Sequence, residues 1–173
     1  QYDPLFADGY FNLGSTYGML SQFDSSLYYF QKSVKIDPDR AAAYYYMGLT
    51  YTKLNKLELG YQMFDKAIQI DPKDIVAYNI KAETLMGEKR YAEALEVLNK
   101  GEKISSLNAD LFILRGQIQV VLKNYDQAHQ DFSRAIMINP INKQAYIDKI
   151  NLFQIQNQPD SMKKFIGLLQ QIK

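Results

Sequence analysis

Few side chains in this sequence could carry chemistry. Its 173 residues include a single histidine, His129, and no cysteine. That excludes a disulfide framework, a thiolate metal site and a Cys nucleophile. Triads and zinc centres need partners that one histidine cannot supply. His129, beside Gln127, Gln130 and Asp131, is therefore expected on a solvent-facing helix surface. The acidic residues have local explanations. Asp37, Asp39, Asp71 and Asp74 flank Pro38 and Pro72, where a carboxylate caps a helix start and complements its partial positive charge. Glu93 and Glu96 lie among Lys89, Arg90 and Lys100, the pattern of a solvated face. Glycines are dispersed instead of gathered into a phosphate-cradling loop. No catalytic residue, cofactor or metal is expected.

Composition narrows the partner classes. The 20 Lys+Arg against 19 Asp+Glu give a net charge of +1, without the basic excess that nucleic acid or an anionic membrane attracts. No apolar run reaches the roughly 18 to 20 residues of a membrane-spanning helix. At 47% apolar residues the chain is that of a folded protein. It opens at Gln1 rather than Met, so a piece of a longer protein or a processed chain is expected. The compartment stays open between cytoplasmic and exported.

The elements that position these residues repeat. Pro4, Pro38, Pro72 and Pro140 share one register of 34 residues, and Ser106 takes the missing place. Tyr10, Tyr44, Tyr78, Phe112 and Tyr146 recur in step, followed four places later by Gly14, Gly48, Ala82, Gly116 and Ile150. Small residues return at Ser26, Gly60, Ala94 and Ala128, and at Ser33, Ala67, Gly101 and Ala135, with Phe30, Phe64, Leu98, Phe132 and Ile166 between. Within a unit the apolar spacing is helical, as in Tyr44, Met47, Tyr51 and Leu54, then Leu57, Phe64, Ala67 and Ile68. Short polar segments such as Asn55-Lys56 and Lys123-Asn124 allow only a tight reversal. Asp-Pro or Asn-Pro then stops the second helix. Gly48 and Gly60 are expected to let two backbones approach.

The pattern Tyr44, Met47-Gly48, Tyr51, Gly60, Phe64, Ala67 and Pro72 resembles the tetratricopeptide repeat. The resemblance divides the chain into units 7–40, 41–74, 75–108, 109–142 and a degenerate or capping 143–173, with 1–6 as the tail of a preceding unit or a leader. It implies an all-α, right-handed α-solenoid of antiparallel helix pairs, in which stacking supplies the core that one pair lacks. Some residues depart from the family pattern. Lys81, Arg115 and Lys149 replace its Leu and are expected to lay their stems on apolar neighbours with heads in water. Gln119 replaces Tyr and Ser106 replaces Pro. Ser105, Ser106 and Asn108 remain good helix-start residues. In the last unit Ile150, Met162 and Leu169 replace the small residues, and Pro159 opens a helix.

The resemblance also implies a concave face built by the first helices: Phe11, Ser15, Tyr45, Leu49, Thr52, Asn79, Glu83, Met86, Ile113, Gln117, Val120, Ile147 and Asn151. Apolar and aromatic groups with a few amides suit a peptide that inserts side chains while Asn79 and Gln117 hold its backbone. Tyr44 is expected in the core and Tyr45 at the contact surface, with Tyr45 and Ile113 as anchors. The family's Lys and Asn clamp for a terminal carboxylate has no equivalent. Its asparagine ladder is also missing, since Asn12 is followed in register by Tyr46, Ile80, Leu114 and Asp148. The expected function is a noncatalytic protein-interaction scaffold. Rival readings are a self-assembling module, with outer tyrosines such as Tyr28 and Tyr61 at the contacts, or the recruiting segment of a larger enzyme.

Overall fold

The computed structural model describes residues 4–172, the side chains of Pro4 and Leu5 excepted. Residues 1–3 of the expected leading segment, and Lys173, lie outside the described residues. Ten helices make up the described fold: α1 (Pro4–Met19), α2 (Phe23–Ile36), α3 (Ala41–Lys53), α4 (Leu57–Ile70), α5 (Ile75–Gly87), α6 (Tyr91–Ile104), α7 (Ala109–Val121), α8 (Tyr125–Ile138), α9 (Lys143–Ile155) and α10 (Pro159–Gln170). The chain divides into two compact units, one ending at Thr84 and the other beginning at Leu85.

A single backbone device makes the reversal inside each pair. Ser21, Asn55, Lys89, Lys123 and Asn157 all have φ between 55° and 61°. In each case the next residue donates its N–H five places back, as in Gln22 to the Tyr17 carbonyl at 2.9 Å and Asn124 to the Gln119 carbonyl at 2.8 Å. This is the Schellman arrangement, in which one left-handed residue turns the chain and its neighbour satisfies a terminal carbonyl. Because the turn itself aims the chain, α2, α4, α6, α8 and α10 start without a side-chain cap. Capping is confined to the loops between pairs. There Asn108 accepts from the Leu111 N–H at 2.8 Å and Asn142 from the Gln144 N–H at 3.0 Å, while Asp74 accepts from the Val76 N–H at 3.0 Å.

A size match holds paired helices at close range. A Cβ placed on Gly14 would lie 2.6 Å from the Phe30 ring, one on Gly48 2.5 Å from Phe64, and one on Gly116 2.5 Å from Phe132. These phenylalanines are at most 1% exposed, and truncating one to Ala would cost roughly 3 to 5 kcal/mol. The third repeat of the register carries Ala82 and Leu98 at the same positions, both fully buried. A larger first residue is thus accompanied by a smaller second one. Where α2 carries serine in place of Gly or Ala, the hydroxyl is satisfied across the pair. Ser26 Oγ donates to the Gly14 carbonyl at 2.8 Å, and Ser33 Oγ to the Ala7 carbonyl at 2.9 Å.

The loops are tied back by the recurring tyrosine. Tyr78 donates its hydroxyl to the Pro72 carbonyl at 3.2 Å and Tyr146 donates to Pro140 at 3.1 Å. At the place where Ser106 replaces proline, the tyrosine is also replaced, by Phe112. There the Arg115 guanidinium covers the ring at 5.1 Å. Pro159 is the first residue of α10, as the sequence predicts; no α10 residue is fully buried.

Candidate functional site

Helical spacing carries the candidate residues onto one face each of α1, α3, α5, α7 and α9, and the structure sorts them by accessibility. In the first unit Phe11, Ser15, Leu49, Thr52 and Asn79 are half-buried and Glu83 is exposed. In the second, Met86, Gln117 and Val120 are half-buried, and Ile147 and Asn151 are exposed. The two expected anchors differ: Tyr45 keeps 9% of its surface and Ile113 only 6%. Both are core residues. Burial, with smaller contributions from the neighbouring Tyr46 hydroxyl and then Asp74, pushes the Tyr45 hydroxyl up to about 12.

Tyr46 is the residue that spacing alone misses. It is 36% exposed, its ring stacks on Phe30 at 5.9 Å and meets Phe11 at 5.7 Å. An aromatic surface of Phe11 and Tyr46 therefore joins α1 to α3. Arg40 lies over Phe11 at 5.3 Å, and its guanidinium is held by Asp8 and Asp37. The signal was present in the sequence as an aromatic breaking the Asn12 register. Tyr44, as expected, is in the core at 7% exposure, its ring under Lys66.

In the second unit the structure brings Gln117, Val120 and Asn151 together around an open cavity of about 160 Å³ that Phe132, Leu152 and Ile155 also line, with Asp148 in its wall. Gln117 Nε2 donates to Asp148 Oδ2 at 2.7 Å and Gln144 Nε2 to Oδ1 at 2.9 Å. Burial pushes the Asp148 carboxyl up, and the two amide bonds offset this in part. Such a site offers an apolar floor, two side-chain amides and one oriented carboxylate. These are the groups that side-chain and backbone recognition uses. Among the described residues no group of three His, Cys, Asp or Glu side chains is placed to hold a metal ion.

The polar groups behind this face correct several expectations. Arg115 does not extend to water. Its Nε lies 3.1 Å and its Nη2 2.7 Å from Asp131, and Nη1 reaches Asn99 at 3.0 Å and Glu102 at 2.5 Å. Lys149 is buried, at 8% exposure, with Nζ on Ser133 Oγ and 5.0 Å from the Phe165 ring centre. Lys81 pairs with Asp65. The register that brings Leu into the core brings these cations beside helix partners 16 residues away, so their heads are captured. His129 is half-buried, with Nε2 2.6 Å from Gln156 Oε1 and its ring 4.8 Å from Phe153. It packs α8 on the end of α9 and is only partly open to solvent, where the sequence predicts a solvent-facing position. Tyr61 is likewise buried at 8%, whereas Tyr28 is 53% exposed.

Comparison with known proteins places this geometry. Two family models described as Tetratricopeptide repeat match, one over residues 7–40 and one over 41–74. Among solved structures, yeast Tom70 aligns with 96% of this chain and 36% of its own at a TM-score of 0.86 and 16% identity. Pseudomonas aeruginosa pilF aligns with 96% of this chain and 76% of its own at 0.83 and 20% identity. YrrB, described as a TPR protein with an unusual peptide-binding site, aligns with 95% and 84% at 0.66 and 16% identity. At such identities the likeness shows the fold, an all-α helical-repeat solenoid. No curated protein matches by sequence.

Proposed function

From the premise that this chain belongs to the tetratricopeptide-repeat family, carried by residues 7–74, we propose that it is a noncatalytic scaffold binding a peptide or protein segment on the inner face of its first helices. The observation that carries this reading is the chemistry gathered there. Phe11 and Tyr46 offer an aromatic surface in one unit, and a cavity of about 160 Å³ edged by Gln117, Asn151 and Asp148 opens in the other. Apolar pockets for side chains beside amides for a backbone are the ordinary requirements of peptide recognition. The peptide-binding site named for YrrB lends the same fold a precedent. No described helix is long and apolar enough to cross a membrane.

A randomised dodecapeptide phage library selected on the whole chain tests the reading. Recovered peptides, measured by fluorescence anisotropy, are expected to bind Tyr46→Ala or Ile147→Ala at least about fivefold more weakly, as truncated anchors do. Unchanged affinity in both, with loss in the outer-surface variant Tyr28→Ala, would overturn it. A second reading, self-assembly, is favoured by Phe6, Leu13 and Tyr28, which are 63%, 42% and 53% exposed on α1 and α2. Light scattering across a dilution series separates the two: mass falling on dilution supports assembly, and a constant monomer mass excludes it.

A further inference from the structure

We propose that the cavity between α7 and α9 is a pocket for an arginine or lysine side chain of the bound segment, the aliphatic stem lying on Val120, Phe132, Leu152 and Ile155 and the cationic head meeting Asp148. The proposal rests on the peptide-binding reading and specifies what the second unit selects.

Three observations carry it. The cavity, open to solvent and about 160 Å³ in volume, has room for a four-carbon stem. Its walls are apolar except along one edge, which suits a side chain with an apolar stem and a charged tip.

The carboxylate at that edge is built and uncompensated. Gln117 and Gln144 fix one oxygen each, leaving further lone pairs to accept from a guanidinium or ammonium. None of the ion pairs among the described residues involves Asp148. Burial makes its ionised form costly, and an arriving cation relieves that cost.

Charge on the surrounding face points the same way. At inner-face spacing, α7 presents Asp110, Ile113, Leu114, Gln117 and Val120, and α9 presents Gln144, Ile147, Asp148 and Asn151. Both charged residues are acidic. Of the cations on these helices, Arg115 is held by Asp131 and Glu102 and Lys149 by Ser133. Lys143 stands exposed at the first residue of α9. A basic segment finds complementary charge at Asp110 and Asp148, whereas the cation left exposed, Lys143, stands at the start of α9, away from the cavity lining.

The dodecapeptide library, selected in parallel on the unaltered chain and on Asp148→Asn, gives the test. A second variant, Asn151→Lys, alters an exposed position and supplies a cation to the same edge, so it tests the pocket even if Asp148→Asn lowers stability. On the unaltered chain, lysine or arginine is expected to be enriched at one position of the recovered peptides. Their affinity should fall at least about tenfold on either variant, and replacing that residue with citrulline or norleucine in the synthetic peptide should cost as much. Peptides that bind the inner face without a basic residue, or that bind both variants as well as the unaltered chain, would overturn the pocket and leave the scaffold reading standing. Recovery of no inner-face peptide at all would overturn both.

Discussion

At the scale of single residues, spacing and size decide outcomes that composition cannot. Gly48 lies where an added Cβ would sit 2.5 Å from the Phe64 ring and 2.9 Å from the Gly60 carbonyl. Gly48→Ala is therefore expected to cost about 1 to 3 kcal/mol, the price of overpacking, measured by urea unfolding. Gly87 is the control, since a Cβ there meets nothing within 4 Å; Gly87→Ala should stabilise by about 0.5 to 1 kcal/mol. Equal effects at both positions would show that close approach is not what the glycines serve. Lys149 gives a pH-dependent case. Burial lowers its pKa, so the unfolded chain keeps a proton that the folded chain releases first. Stability should then rise with pH from that lowered value to the ordinary lysine range near about 10.4. Tyr45 acts in the opposite sense: its hydroxyl, at about 12, stays protonated after an unfolded tyrosine has ionised, so its contribution falls above pH of about 10. Lys149→Met should stabilise by about 1 kcal/mol at pH 7 and remove the alkaline rise. Unfolding at pH 7 and 10 in both proteins checks this, and an unchanged difference would mean a solvated ammonium.

At the scale of elements, the 34-residue register makes the helix pairs, their stops and the Gly48–Phe64 match readable before any coordinates. These depend on neighbours fixed by sequence distance, so periodicity encodes them. The partners of Arg115, Lys149 and His129 are not so encoded. Whether a long side chain reaches water or a residue 16 positions away depends on the spacing of packed helices, and His129 meets Gln156 across the α8–α9 contact. The choice between Tyr45 and Tyr46 turns on about 100° of helical rotation, which a stripe of three tyrosines leaves ambiguous. The reversals carry a testable cost. Lys89 and Lys123 hold φ of 60° and 61°, a region that only Gly, and at times Asn, visits readily. Lys89→Gly and Lys123→Gly are each expected to stabilise by about 1 kcal/mol, and Asn55→Gly by less. Destabilisation in thermal melts would mean that the lysine side chains contribute contacts outweighing the backbone gain.

At the scale of the whole molecule, the stack is made of local contacts, and each compact unit has its own core. In such solenoids stability is approximately a sum over repeats and their neighbours. Opening α3 and α4 with Gly48→Leu should raise hydrogen exchange in those helices and leave protection in α7 to α9 nearly unchanged. A uniform loss across the chain would show a single cooperative block. The proposed binding surfaces fall one to each unit, with aromatic Phe11 and Tyr46 in one and the Asp148 cavity in the other. The helical-repeat solenoid was legible from the register and the family resemblance. The cavity was not, because it requires Phe132 and Leu152 from α8 and α9 to close beneath residues whose spacing marks only their own helix.

The glycine and phenylalanine match also bears on how such a chain can be rearranged. Joining α3 to the second helix of another repeat within the turn would pair Gly48 with Leu98 and leave a void. The reverse joint would bring Ala82 against Phe64, where even the methyl group of alanine has no room. Crossovers placed in the loops between pairs keep both partners together and avoid the conflict. The unit of exchange during duplication or recombination is thus the intact pair, and its permissible seams are the loops carrying Pro38, Pro72, Ser106 and Pro140.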